Sequence, residues 1–193
     1  MHPCNLGMRI IAGTLKHRTI PSPPGDSTRP TSDRGRESLF HVLEHHADME
    51  GASIIDLYAG SGALAFEALS RGACSATLVD TSAEVCRQLR SVAESLNISP
   101  LVQIIRADAL EYLRHGNVRE HQIIFADPPY AQKACNAIAP LLFSSGALAN
   151  DGIAAFEHGD QEHILELPEL RLIKSIELGQ TNFSIFRRVS PLA

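Results

Sequence analysis

Apolar positions along the chain follow two alternating rhythms. Short, nearly continuous apolar runs predict buried strands at Ser53–Leu57, Ser75–Asp80, Val102–Arg106, His121–Asp127 and Gly152–Glu157. Between them, apolar residues recur at helical spacing. They predict helices over Ala63–Ser70, Ala83–Asn97 and Ala109–Arg114, and a fourth from near Lys133 to Phe143. Such alternation implies an α/β fold with a mainly parallel sheet covered on both faces. Arg171–Leu178 and Asn182–Val189 predict an antiparallel C-terminal hairpin with Gly179 in its turn. At the other end, Met8–Ala12 and His17–Ile20 predict two short strands around a turn near Gly13. Ser22–Ser27 is a loop by composition. Thr31, Ser32 or Asp33 then caps a helix reaching Ala47, with Leu39, Phe40, Val42 and Leu43 on one face. The expected organisation is an N-terminal extension, hairpin plus helix, over residues 1–50. It packs on a core of residues 51–193 in one compact unit.

Composition narrows this picture modestly. A chain of 193 residues suits one well-cored domain. No apolar run approaches a membrane span, and the N-terminus lacks the pattern of a signal peptide, so a cytoplasmic protein is expected. Cys4, Cys74, Cys86 and Cys135 are widely spaced and predict reduced thiols rather than a zinc knuckle or disulfide framework. The net charge of −5 is unevenly distributed. Residues 1–40 carry six bases against three acids, and the rest carries eleven against nineteen. A basic front on an acidic body suits a polyanion bound at one place, and equally suits a solvated basic segment.

Candidate chemistry lies where strands end. Asp127-Pro128-Pro129-Tyr130 closes the fourth core strand. Consecutive prolines stop the strand and stiffen the turn. An acid, a rigid carbonyl and an aromatic ring are thus presented at the edge where open α/β sheets bind ligands. This set suits chemistry on the exocyclic amine of a flipped-out base. Such an amine is a poor nucleophile, because its lone pair is delocalised into the ring. Asp127 and the Pro128 carbonyl can accept its N–H bonds and favour a pyramidal, reactive nitrogen. Tyr130 can stack on the base. The same four residues would also make a plain strand-ending turn.

Asp56-Leu57-Tyr58-Ala59-Gly60-Ser61-Gly62 leaves the first core strand and enters a helix. Gly60 and Gly62 permit close ligand approach, and Asp80, at the end of the next strand, can hold both hydroxyls of a ribose. Gly60-x-Gly62-x-x-Ala65 matches a dinucleotide fingerprint and also resembles the S-adenosylmethionine loop of class I methyltransferases. The Asp127 turn favours the methyltransferase, and no hydride-acceptor site is evident. His41-x-x-Glu44-His45 formally matches an inverted zincin pattern. Without a third ligand it reads as the polar flank of a helix, and no metal is expected.

Taken together, these motifs resemble the RsmD family of bacterial 16S rRNA guanine-N2 methyltransferases. The resemblance rests on Met8–Gly13, on Thr28-Arg29-Pro30-Thr31-Ser32-Asp33-Arg34-Gly35-Arg36-Glu37-Ser38-Leu39-Phe40, on Asp56–Leu64, on Glu67–Ala73 and on Asp127–Tyr130. The Arg29–Phe40 stretch is the most family-specific. Ala12 stands where the family often has glycine, and Asp80 where glutamate is common. Thr81-Ser82 replace an acidic continuation, and Gly35 falls inside an expected helix, at a cost of up to about 1 kcal/mol.

The resemblance implies a Rossmann-like class I fold with residues 51–193 as the catalytic domain. It implies methyl transfer from S-adenosylmethionine to N2 of one guanine in 16S rRNA, by in-line displacement. The amine's proton would pass to Asp127 or to water. Asp127, Pro128, Pro129 and Tyr130 form the expected catalytic turn. Asp56, Tyr58, Ala59, Gly60, Ser61 and Gly62 would hold the methionyl end of the cofactor. Asp80 and Thr81 would sit at the ribose, and Asp108 and Ala109 beside the adenine. Arg29, Thr31 and Arg34 are candidates for the cofactor–RNA junction, and Arg9, Lys16, Arg18 and Arg36 for phosphate contacts. The implied partner is 16S rRNA within the 30S subunit or an assembly intermediate, met by a monomer. An adenine-N6 methyltransferase acting on DNA, a non-catalytic RNA-binding or assembly factor and an NAD-binding dehydrogenase remain open.

Overall fold

The computed structural model describes residues 7–22, 32–129, 134–159, 162, 164, 167–179 and 181–189. In chain order these form β1 (Met8–Arg9), β2 (Thr19–Ile20), α1 (Asp33–His46), β3 (Ser53–Asp56) and α2 (Ala63–Ser70). Then come β4 (Ser75–Asp80), α3 (Ala83–Ser95), β5 (Val102–Arg106), α4 (Ala109–His115) and β6 (His121–Ala126). The chain closes with α5 (Cys135–Ser144), β7 (Leu148–Gly159), β8 (Leu170–Glu177) and β9 (Thr181–Arg188).

One seven-stranded sheet runs β5-β4-β3-β6-β7-β9-β8. Strands β3 to β7 pair in parallel, and β9 lies antiparallel to both β7 and β8. From β3 the chain moves outward to β4 and β5, then returns to lay β6 on the other side of β3. That reversal makes the C-terminal ends of β3 and β6 the switch point of the sheet, the place where open α/β sheets take their ligands. Side-chain alternation divides the core between two faces. Ile54, Phe125 and Ile153 pack with Leu39, Phe40 and Phe66 from α1 and α2. Ile55, Ile124 and Phe156 pack with Leu113, Ile138 and Leu142 from α4 and α5.

The N-terminal strands are shorter than their apolar pattern predicts. The N–H groups of Ile11 and Ala12 donate to the Glu67 carboxylate at 2.7 and 3.0 Å, so they bond to α2 rather than extending a ladder. Ser70 completes the attachment. Its Oγ donates to the Ala12 carbonyl at 2.5 Å and accepts the Leu15 N–H at 2.9 Å, while its carbonyl accepts the Thr14 N–H at 2.7 Å. The backbone comes so close that a Cβ at Gly13 (φ +79°) would lie 1.7 Å from the Ser70 oxygen. Only glycine fits that position.

Two other boundaries differ for local reasons. Helix α3 stops at Ser95 because Asn97 takes φ +59°, and the N–H groups of Asn97 and Ile98 close on the Glu94 and Ala93 carbonyls at 3.0 Å. This is a Schellman closure with asparagine in the left-handed position. Strand β7 begins at Leu148 rather than Gly152, because Leu148 pairs with His121 before residues 149–152 step out of register. The predicted start of α5 at Lys133 lies outside the described residues. Gly35 is buried within α1, whose cap is Ser32: its Oγ accepts the Gly35 N–H at 3.1 Å.

Candidate active site

The glycine loop turns sharply out of β3 and is held from both neighbouring strands. Leu57 N–H donates to the Phe125 carbonyl of β6, and Ala59 N–H to the Val79 carbonyl of β4, each at 3.0 Å. Gly60 and Gly62 have φ of +48° and +76°. A Cβ on Gly62 would come 2.5 Å from the Phe66 ring, so packing and backbone both require glycine there. At Gly60 a Cβ would meet nothing nearer than the Tyr58 carbonyl at 3.9 Å. The open space lies beside Gly60. Ser61 Oγ accepts the Ala63 N–H at 3.3 Å.

Asp80 ends β4 and closes the loop from the side. One carboxylate oxygen accepts the Gly60 N–H at 3.1 Å, and the other accepts the Ser82 N–H at 2.8 Å. Ser82 then caps α3 with its own Oγ, taking the Val85 N–H at 3.3 Å. Thr81 is exposed, and its carbonyl accepts Arg106 Nε at 3.2 Å. Thr81-Ser82 thus join a carboxylate-braced turn to a helix cap. Asp56 lies under the loop, 2% exposed. Burial pushes its carboxyl up to about 7, opposed by the Tyr58 backbone N–H and reinforced by the charge of Asp80. Two acids sharing one loop suit a cationic ligand. They oppose a pyrophosphate, which would also compete with Asp80 for the Gly60 N–H.

This acid carries a pH prediction. A carboxyl whose folded pKa is raised holds its proton where the unfolded chain has lost it, between about pH 4 and pH 7. Stability therefore falls as pH rises through that window, by on the order of 4 kcal/mol at most. Asp56→Asn should flatten this slope and raise the melting temperature of the ligand-free protein at pH 8. Melting curves from pH 5 to 8 test it. An unchanged slope would place the titration elsewhere.

At the end of β5, exposed Asp108 caps α4, its Oδ1 accepting the Leu110 and Glu111 N–H groups at 2.9 and 3.0 Å. Ala109 is buried behind it. Tyr58 is half-buried. Burial pushes its hydroxyl up to about 12, with Asp108 and Cys135 as contributing neighbours. At the end of β6, Asp127 is half-buried, Pro128 buried and Pro129 exposed. Asp127 is among the charges that reach Cys135, the first residue of α5. The acids predicted from β3, β4, β5 and β6 therefore gather at one edge of the sheet. Tyr130 lies outside the described residues, as do Arg29 and Thr31.

The N-terminal arm reaches the same place. Met8 Sδ lies 3.9 Å from Ser61 Oγ, which sets β1 beside the glycine loop. Arg9, Lys16, Arg18 and Arg34 are exposed. Arg18 donates to the Ser95 carbonyl at 3.2 Å, and Gln88 holds the Pro21 and Ser22 carbonyls at 2.9 and 3.0 Å, so the arm is tied to α3. Arg36 corrects the sequence reading. It is fully buried, and its Nη2 donates to the Arg9 carbonyl at 2.8 Å and to Asp33 at 2.7 Å. It cannot meet a phosphate, and instead pins β1 to α1. Charge alone drew it into the basic set, although its helical spacing from Leu39, Phe40 and Leu43 pointed inward.

Glu67 is the polar residue that sequence reasoning gave no role. All eight residues of α2 are buried, and Glu67 is the acid among them. A carboxylate inside an apolar helix was the available signal. At the opposite edge of the sheet, Glu44, His45, His46, Asp48, Glu50 and Arg71 line an open depression of about 600 Å³. His41, Glu44 and His45 are exposed, and Glu44 pairs with Arg71 at 2.6 Å. Among the described residues, no three His, Cys, Asp or Glu side chains converge as a metal site. No helix among them is long and apolar enough to cross a membrane.

Residues 8–187 match the family model described as Conserved hypothetical protein 95. The chain belongs to that family. Relatives bear out the resemblance to RsmD. The chain is 31% identical over 182 residues to ribosomal RNA small subunit methyltransferase D of Escherichia coli K12, covering 94% of this chain and 90% of that one. It is 35% identical over 187 residues to YlbH of Bacillus subtilis, covering 94% and 99%. The solved structure of Escherichia coli yhhF superposes with a TM-score of 0.84 at 30% identity, covering 95% of this chain and 99% of that one. An RNA methyltransferase from Salinibacter ruber, solved with S-adenosyl-L-homocysteine, shares the fold at a TM-score of 0.64 and 12% identity, covering 86% and 97%. The RsmD-family chain thus has the class I methyltransferase fold, a mainly parallel sheet closed by a C-terminal antiparallel hairpin.

Proposed function

We propose that this chain transfers a methyl group from S-adenosylmethionine to the exocyclic N2 amine of one guanine in 16S rRNA of the small ribosomal subunit. One observation carries the reading: the glycine loop and the Asp127 turn leave adjacent strands. Asp56 of β3 pairs with Phe125 of β6, two residues before Asp127. A cofactor held at the first loop is therefore beside an amine held at the second. The relative named ribosomal RNA small subunit methyltransferase D supplies the substrate class.

S-adenosylmethionine supplies an electrophilic methyl group on a sulfonium. Gly60 and its neighbours leave room for the methionyl end, and Asp80 matches the positive charge of the cofactor, with Asp56 buried under the loop. Asp80 retains carboxylate lone pairs for ribose hydroxyls beyond the two it gives to backbone N–H groups. Asp108 and Ala109 border the adenine. At the acceptor side, Asp127 and the Pro128 carbonyl take N–H bonds from the amine and orient its lone pair. They stabilise the charge that nitrogen gains, from a rigid turn that need not reorganise. Tyr130 stacks the extruded base. Arg9, Lys16 and Arg18 contact RNA phosphates, and Arg29, Thr31 and Arg34 stand at the cofactor–RNA junction. Residues 1–50 serve as the RNA-facing extension of the catalytic domain. A cytoplasmic monomer acts on the 30S subunit or an assembly intermediate, where ribosomal proteins shape the target.

Calorimetry and label transfer test this reading. S-adenosylmethionine should bind and NAD should not, and label from the cofactor should enter 16S rRNA of unmodified 30S subunits rather than duplex DNA. Preferential NAD binding, or label in DNA alone, would refute it. Equal activity on protein-free rRNA would remove the role given to ribosomal proteins.

A further inference from the structure

Glu162 is a buried carboxylate beside the candidate active site that the reactions described above do not use. It is 6% exposed and follows β7, its N–H donating to the Gly159 carbonyl at 3.1 Å. Its Oε1 accepts the Cys135 N–H at 3.1 Å. Cys135 opens α5, whose N-cap residue, Ala134, offers no side-chain acceptor. The first helical N–H, which an N-cap side chain does not reach because it accepts from the second or third, is bonded instead by a long-range cap from the segment after β7. The long-range cap adds a tie that a local cap lacks. It joins the segment after β7 to the start of α5, the element that follows the Asp127 turn in the sequence. Cys135 Sγ, which donates to the Glu157 carbonyl at 3.7 Å, adds a second tie to β7.

We propose that Glu162 is a positioning residue for methyl transfer, fixing the start of α5 against the end of β7 and thereby holding the Asp127-Pro128-Pro129 turn against the cofactor. This role rests on the reading of that turn as the acceptor site. The same geometry leaves a mark on Cys135. Burial first, and then the Glu162 carboxylate and the Asp127 charge, push its thiol well above the usual range. Removing Glu162 takes away one of the influences that keep this thiol neutral, while its burial remains.

The test compares wild type, Glu162→Gln and Glu162→Ala in the full chain. It uses labelled S-adenosylmethionine with unmodified 30S subunits, calorimetry with S-adenosylmethionine, and iodoacetamide labelling followed by mass mapping of the Cys135 peptide. Glu162→Ala should lose on the order of 100-fold in kcat, the scale of an error of about 1 Å in placing reacting groups. Its cofactor Kd should stay unchanged while Cys135 alkylates faster. Glu162→Gln keeps an acceptor oxygen and should recover most of kcat. Full kcat in Glu162→Ala, or equal loss of kcat and cofactor binding in both variants, would overturn the positioning role while leaving the proposed function intact. A wild-type protein that binds the cofactor yet methylates no rRNA would overturn the proposed function and this role with it.

Discussion

Asp127→Ala should lower single-turnover methyl transfer by about 100- to 1,000-fold, the effect of removing one preorganised polar group from a site of developing charge. Cofactor affinity should hold, because Asp127 stands at the end of β6 and the loop beside Gly60 is braced by Asp80. The expected signature is a fall in rate with an unchanged Kd for S-adenosylmethionine. Asp127→Asn keeps one acceptor oxygen and loses the charge, so its rate should fall between those of wild type and Asp127→Ala. An Asp127→Ala protein that transfers methyl groups at the wild-type rate would place the catalytic centre elsewhere. It would also favour a non-catalytic RNA-binding role for this edge of the sheet.

The largest expected loss of stability belongs to Glu67. Its carboxylate is fully buried and accepts from Ile11 N–H, Ala12 N–H and Arg71 Nε, the last at 2.7 Å. Glu67→Ala leaves two backbone donors without a partner and breaks one arm of a buried ion pair. Removing one member of such a pair costs about 3–5 kcal/mol. Arg71 keeps Glu44 at 2.6 Å and its position over the Phe40 ring, which limits the loss. Urea unfolding checks the magnitude. The loss should come with weaker RNA binding, because the same carboxylate holds the arm that sets β1 beside the glycine loop. A variant with wild-type stability would mean that the arm docks without Glu67.

Much of this architecture is legible in the sequence. The bounds of α2, β4 and β5 follow directly from apolar runs ended by turn residues, and the strand–helix alternation implied a parallel sheet. The sequence shows the Asp127 turn and the glycine loop as separate motifs about seventy residues apart, and the pairing of β3 with β6 sets them side by side. The failures share a cause. Arg36 and Glu67 are charged residues in amphipathic or apolar helices, and charge argues for the surface. Their burial depends on partners far along the chain: the Arg9 carbonyl for one, Ile11 and Ala12 for the other. Glu162 was invisible for the same reason, since its partner, the Cys135 N–H, belongs to another element. The step in β7 at residues 149–152 likewise arises from pairing with β6, which local pattern does not encode.

The most direct measurement is the identity of the product. Purified protein, labelled S-adenosylmethionine and unmodified 30S subunits are incubated, and the rRNA is digested to nucleosides and mapped. The account predicts N2-methylguanine at one position of 16S rRNA. N6-methyladenine as the labelled product, or label spread over many guanines, would contradict it.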